Sequence, residues 1–214
     1  MRKEPIEAVI FDCDGTLVDS ESLSISVLLE LAAEFGPSLD YQDALRRFAG
    51  SDLAVVFRTI EKQMGRSLPD DFLQRFRERQ IPVLKDRLQA TEGAEELLES
   101  ITLPSCVASN APLRKIHVCL ETTGLRRFFT KDRIFSAYEI QIWKPSPDLF
   151  LQAARSLHVD PERCAVIEDS GFGIEAGLAA GMQVFAFDPH NIHAHFAQVT
   201  TVQSLTELKP TLCD

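Results

Sequence analysis

Short apolar runs alternate with longer amphipathic stretches over most of this chain. Residues 8–11 (AVIF), 105–108 (SCVA), 133–136 (RIFS), 164–167 (CAVI) and 183–187 (QVFAF) are short and mostly β-branched or aromatic. Polar or turn residues follow nearly all of them, which predicts strands. Between the later runs the spacing predicts helices over 112–122, over 147–157, opened by a proline, and over 172–180, closed by Gly181. Strands alternating with helices imply a parallel sheet covered on both faces, an α/β fold with a doubly wound core. Such sheets bind ligands beyond the carboxyl ends of their strands.

One stretch breaks the alternation. From residue 19 to 87 no strand pattern occurs, and the spacing predicts helices over 20–34, 41–48, 53–63 and 69–88, the last interrupted near Pro82. Loop chemistry separates them, as "FGPS" at 35–38 and "MGRSLPD" at 64–70. The expected organisation is a Rossmann-like core from residues 1–18 and 88–214 with a small helical cap inserted at 19–87.

Chemistry enters where the first run ends. In "VIFDCDGTLVDS" (9–20) the i, i+2 spacing puts Asp12 and Asp14 on one face with Cys13 turned away, and Gly15 lets the chain turn at once. Neighbouring carboxylates repel, which leaves two useful states: a divalent metal bridging them, or one acid kept protonated as a donor. Later strand ends match. "CVASNAP" ends in Ser109 and Asn110, whose hydroxyl and backbone N–H groups precede a helix and suit phosphate oxygens. "IWKPSP" carries Lys144, and "CAVIEDSGFG" ends in Glu168 and Asp169, natural oxygen ligands for Mg²⁺.

Composition narrows the partners. The chain has 214 residues, 45% of them apolar, and a formal charge of −10, so phosphate-backbone and anionic-membrane surfaces are not expected. Region 19–87 holds ten of the 22 basic residues against twelve acids, a near balance that suits a lid facing an anion, although solvated helix faces would look the same. The five cysteines show no CxxC pairing, so neither a disulfide framework nor a zinc site is suggested. The run at 8–11 is too short for a signal or membrane segment, so a soluble cytoplasmic protein is expected.

The ordered set "DCDGT", Ser109, Lys144 and "EDS" (168–170) resembles the four motifs of the haloacid dehalogenase superfamily, over essentially the whole chain. The helical insertion resembles the cap of its β-phosphoglucomutase-like subgroup. The tracts "SAYEIQIWKPSP" and "FDPHN" are similar to members acting on phosphorylated sugar acids. The resemblance implies an Mg²⁺-dependent phosphatase of a small phosphorylated metabolite, a sugar or sugar-acid phosphate such as 6-phosphogluconate; separately, a monomer is expected. Asp12 would be the nucleophile that forms an aspartyl-phosphate, and Asp14 the acid and base. Thr16 would hold phosphate or orient Asp14, with Ser109, Asn110 and Lys144 on the phosphate oxygens. Asp12, the Asp14 carbonyl, Asp169 and Glu168 would hold Mg²⁺. "RRFAG" (46–50) resembles the loop by which the cap closes, making Arg47, Gly50 and, from the last cap helix, Arg79 the candidates for substrate contact.

Other readings weigh less. A sugar phosphomutase shares the aspartyl-phosphate step, but the mutase resembled has a hydrophobic residue at Thr16 and a cap histidine at Ser24. A phospho-accepting receiver domain is about half this length and lacks the insertion. A catalytically dead interaction protein is unsupported, because every motif residue is present. Gly173, Ala176, Gly177 and Ala180 follow helical spacing and read as close packing against a sheet. His190, His193 and His195 read as a surface helix, and Trp143 as a core or rim aromatic.

Overall fold

The computed structural model describes residues 4–36, 39–48 and 53–213, except for the side chains of residues 45 and 46. Among these, six strands form one parallel sheet: β1 (Ala8–Phe11), β2 (Ser105–Ser109), β3 (Ile134–Ser136), β4 (Cys164–Glu168), β5 (Gln183–Phe187) and β6 (Thr200–Val202). Their order is β3-β2-β1-β4-β5-β6. The register pairs Val9 with Ser105 on one side and with Ala165 on the other. From β1 the chain moves outward through β2 and β3, then returns to β1's other edge for β4, β5 and β6. The order therefore reverses at β1, and the crevice of a doubly wound sheet opens at its carboxyl end.

Alternation along the strands divides the core between the two sheet faces. Val9, Phe11, Val107, Ala165, Ile167 and Phe185 pack on one face, and Ala8, Ile10, Cys106, Ala108, Val166 and Val184 on the other. Each large side chain so buried contributes roughly 1.5–3 kcal/mol. The first face is covered by α5 (Ala94–Ser100) and α6 (Leu113–Thr122). The second is covered by α8 (Asp148–Leu157) and α9 (Gly171–Ala179), with the one-turn α7 (Ala137–Ile140) following β3. The small residues of α9 serve packing, as their spacing suggests: a Cβ at Gly177 would stand 2.7 Å from Val184 Cγ2.

Between β1 and α5 run α1 (Glu21–Ala33), α2 (Tyr41–Phe48), α3 (Leu53–Met64) and α4 (Phe72–Arg87). They enclose a separate apolar cluster that includes Leu28, Leu31, Ile60, Phe72 and Phe76. Leu84, farther along α4, belongs instead to the cluster on the sheet, so α4 ties the helical layer to the core.

Differences from the sequence reading have local causes. α4 runs through Pro82 without the expected interruption. Its stripe of Phe72, Phe76, Gln80 and Leu84 is buried, while Pro82 lies on the exposed face. Burial of that stripe offsets the roughly 3 kcal/mol cost of an interior proline. The edge strand β6 has three residues, of which Val202 alone is buried, too short a pattern to read. Helix α5 also went unread. Residues 190–196 form no helix, so the surface helix expected for the three histidines is absent, and His193 is buried. Among the described residues no helix is long and apolar enough to cross a membrane.

Candidate active site

Asp12 extends β1 by one residue, its N–H donating to Ile167 O at 3.0 Å. The next turn is tight: Gly15 has φ +87° and its N–H donates to Val18 O at 2.9 Å. A Cβ at Gly15 would overlap the Asp169 carboxylate, so glycine serves both the turn and the approach. Asp12 and Asp14 face one cavity while Cys13 is buried in the sheet core, as alternation requires.

Lys144 joins two strand ends. Its ammonium, almost fully buried, donates to Asp12 Oδ1 at 2.5 Å and to Glu168 Oε1 at 2.7 Å. Asn110 braces this lysine's backbone. Lys144 N–H donates to Asn110 Oδ1 at 2.9 Å, and Asn110 Nδ2 donates to the Lys144 carbonyl at 3.3 Å. Glu168 Oε2 accepts from the N–H and hydroxyl of Ser170 at 2.8 and 2.9 Å. Both Glu168 oxygens are thus engaged within the protein.

Electrostatics follow from this burial. Desolvation pushes the Asp12 carboxyl up to about 7 against the pull of Lys144, with Glu168 and Asp14 adding to the rise. Asp169 is held well above the ordinary carboxylate range by burial and by the charges of Glu168 and Asp12. Burial alone would lower the Lys144 pKa, but Asp12 and Glu168 outweigh it and keep the ammonium charged.

Acids at this floor outnumber cations. Asp12, Asp14, Glu168 and Asp169 face two ammoniums, Lys144 and Lys115, the latter 2.7 Å from Asp14 Oδ1. One divalent cation would balance the difference. Among the described residues no three His, Cys, Asp or Glu side chains cluster at metal-holding spacing. Mg²⁺ does not need three: it binds through one or two carboxylates, keeps several waters and shares substrate phosphate oxygens. Asp12, Asp169 and the Asp14 carbonyl fit that demand. Glu168, also expected among the ligands, has its two oxygens hydrogen-bonded by Lys144 and Ser170.

A cavity of about 850 Å³ lies between this floor and the helical layer. Ser109, from the end of β2, lines it beside the acids, and its Oγ accepts from the Ala111 N–H at 3.2 Å. Ser24 of α1, Arg77 and Gln80 of α4, and Arg114 at the start of α6 line it from above and from the side. Trp143, half-exposed, stands at its rim and makes an edge contact with Tyr138.

Three expectations are corrected by these positions. Thr16 is fully buried and does not line the cavity; its hydroxyl donates to Asp169 Oδ1 at 2.7 Å, so it orients that carboxylate rather than phosphate or Asp14. Arg79 does not line the cavity either, because both of its terminal nitrogens engage the Glu34 carboxylate at the surface. Arg47 pairs with Asp43 one turn earlier on α2, at 3.1 Å, and is likewise absent from the cavity lining. Gly50 lies outside the described residues.

Several contacts went unread in the sequence. Arg77, two residues before Arg79, faces the cavity and donates to the Tyr138 hydroxyl, with its guanidinium 5.0 Å from that ring's centre. Gln80 sits in the buried stripe of α4 and donates to Ser24 Oγ at 2.7 Å; a polar residue in an apolar stripe was the available signal. Buried His193 places Nε2 2.5 Å from the Asp169 carbonyl, tying the segment after β5 to the acidic loop. Asp188 fixes that segment by accepting from the N–H groups of Ile192 and His193 at 2.9 and 2.7 Å.

Known proteins are similar to this chain in sequence and in fold. The chain is 39% identical over 206 residues to 6-phosphogluconate phosphatase of Escherichia coli, covering 95% of this chain and 93% of that one. A haloacid dehalogenase-like protein of unknown function from Agrobacterium tumefaciens superposes with a TM-score of 0.84 at 29% identity, covering 96% of each chain. A HAD family hydrolase from Deinococcus radiodurans, solved with bound phosphate and sodium, gives a TM-score of 0.80 at 31% identity, covering 97% of this chain and 95% of that one. Residues 9–187, from the strand that leads into Asp12 to the end of β5, match the family profile of haloacid dehalogenase-like hydrolases, and the chain belongs to that family.

Proposed function

We propose that this chain is a Mg²⁺-dependent phosphatase of a small phosphorylated sugar acid such as 6-phosphogluconate, acting through an aspartyl-phosphate on Asp12. The observation that carries this reading is the state of Asp12. Its Oδ1 is held by Lys144, no hydrogen bond from the described residues reaches Oδ2, and the carboxylate faces the cavity that Ser109 also lines. A buried carboxylate fixed by one oxygen and open at the other is a positioned nucleophile. The similarity to a phosphatase of 6-phosphogluconate supports the substrate class, as do Arg77 and Arg114 on the cavity wall.

In the first step Asp12 Oδ2 attacks phosphorus, the bond from phosphorus to the ester oxygen breaks, and Asp14 gives its proton to the departing alkoxide. In the second, water attacks the aspartyl-phosphate, Asp14 takes the water's proton, inorganic phosphate leaves and the Asp12 carboxylate is restored. Ser109, the Asn110 N–H and Lys144 stabilise the equatorial oxygens in both transition states. Asp12, Asp169 and the Asp14 carbonyl would hold Mg²⁺, which supplies neutralising charge between nucleophile and phosphate. Helices α1 to α4 act as a cap that excludes water and presents Arg77 and Gln80 to the sugar.

The test is phosphate release from sugar phosphates, sugar-acid phosphates and nucleotides, with Mg²⁺ and again with EDTA. Metal-dependent release concentrated on 6-phosphogluconate or another phosphorylated sugar acid is the expected result. No release from any compound, with β-glucose 1-phosphate converted instead to the 6-phosphate, would make the chain a mutase and overturn the reading.

A further inference from the structure

Lys115 belongs to none of the four motifs, yet it reaches the second aspartate. It lies in the first turn of α6, on the helix that follows β2 and Ser109. Its ammonium stands 2.7 Å from Asp14 Oδ1, and the Ser20 hydroxyl donates to the same oxygen at 2.5 Å. The Lys115 and Asp14 side chains are 16% and 22% exposed, so this pair is far better shielded than an ordinary surface ion pair. No hydrogen bond from the described residues reaches Asp14 Oδ2. The two donors come from different layers, Ser20 from the start of α1 and Lys115 from the sheet side. Together they stop the carboxylate from turning about its last bond, and they leave Oδ2 to the cavity.

We propose that Lys115 is a positioning residue for Asp14, fixing which of its oxygens meets the leaving group and, later, the attacking water. The arrangement parallels the other aspartate. Lys144 holds Asp12 by Oδ1 as Lys115 holds Asp14 by Oδ1, and in each case one oxygen remains for chemistry. The inference rests on the reading of Asp14 as acid and base, and the experiment separates the two.

A sugar alkoxide needs a proton to leave, whereas p-nitrophenolate does not. Steady-state hydrolysis of 6-phosphogluconate and single-turnover release of p-nitrophenolate from p-nitrophenyl phosphate are therefore compared in wild type, Lys115→Met, Lys115→Arg and Asp14→Asn. Lys115→Met should lower kcat on the alkyl phosphate about tenfold or more, a fraction of what an acid–base group supplies. KM and the nitrophenolate single-turnover rate should each stay within about threefold of wild type. Lys115→Arg, which keeps a charged donor, should recover most of the loss. Should Lys115→Met fail to fold, Lys115→Leu, which likewise lacks a donor, carries the same comparison.

Equal losses on both substrates, no loss on either, or an arginine variant no better than methionine would overturn the proposal. If Asp14→Asn shows the split and the Lys115 variants do not, the positioning role alone fails. If Asp14→Asn shows no split, the acid–base reading of Asp14 fails and takes the proposal with it.

Discussion

Lys144 Nζ stands between two acids, 2.5 Å from Asp12 Oδ1 and 2.7 Å from Glu168 Oε1, and all three side chains are buried. The lysine comes from the loop before α8, Asp12 follows β1, and Glu168 ends β4. One ammonium therefore both positions the proposed nucleophile and balances charge that the sheet has removed from water. A buried ion network of this kind adds little net stability when intact but is costly to break, because the remaining charge has no water to relax into.

That asymmetry gives the first prediction. Lys144→Met should destabilise the metal-free protein by about 3 kcal/mol or more. Adding Glu168→Gln should return part of the stability, since it removes one of the stranded charges. Activity should stay down by about two orders of magnitude or more in both variants, because the phosphate oxygens have lost their ammonium. Urea unfolding in EDTA together with phosphate release checks both halves. A single-variant cost below about 1 kcal/mol would show that Asp12 and Glu168 do not depend on this cation.

The cavity wall gives the second. Arg77→Ala and Arg114→Ala should each raise KM for a phosphorylated sugar acid about tenfold, the loss of one charge-assisted hydrogen bond, while leaving p-nitrophenyl phosphate within about twofold. Arg79→Ala should leave both substrates within about twofold, since its guanidinium is engaged by Glu34 at the surface. A large effect of Arg79 and none of Arg77 would mean that the helical layer turns a different face of α4 to the substrate.

Residues whose roles follow from strand ends were legible in the sequence, and those set by helix rotation were not. Asp12, Ser109 and Asp169 each follow or end a β-run, and a parallel sheet brings such ends to one crevice whatever the details of packing; Lys144 reaches the same crevice from the loop before α8. A two-residue step on a helix such as α4 turns a side chain by about 200°. Arg79 and Arg77 therefore point in opposite directions, and sequence spacing alone could not choose between them. Thr16 was misread for a related reason: the positive φ at Gly15 breaks strand alternation, so the side chain after it turns inward to Asp169. His193 was hidden because its role depends on a turn held by Asp188, with no periodic pattern to reveal it.

Thr16 also supplies the third prediction. Its hydroxyl orients Asp169, a proposed metal ligand, and groups that orient metal ligands typically matter about 10- to 100-fold in metal affinity. Thr16→Val should therefore raise the Mg²⁺ concentration for half-maximal activity about tenfold or more, with KM for substrate at saturating Mg²⁺ changed less than about twofold. Direct titration of Mg²⁺ by calorimetry should show the same weakening without any substrate present. If the variant instead raised KM and left metal affinity unchanged, Thr16 would be a phosphate contact after all.

The acids at the floor set how stability responds to pH. Burial raises Asp12 from the ordinary 3.8 to about 7, and Asp169 moves in the same direction. Between these limits the folded state holds protons that the unfolded chain has released, so each step up in pH favours unfolding. The Asp12 contribution is nil below about pH 4, where both states are protonated, and reaches its full destabilising size above about pH 7, with Asp169 adding in the same direction. Asp188 is shifted the other way, because the N–H groups of His193 and Ile192 outweigh its burial, but it titrates below that window. The melting temperature in EDTA should therefore fall between about pH 5.5 and pH 8, and Asp12→Asn should flatten the fall. Mg²⁺ on the proposed site would bind the ionised carboxylates, so it should raise the melting temperature more at the higher pH, where no proton need be displaced. An equal Mg²⁺ effect at both values, with the slope unchanged in Asp12→Asn, would mean that these buried acids are already ionised in the metal-free protein and that Lys144 alone is enough to hold them so.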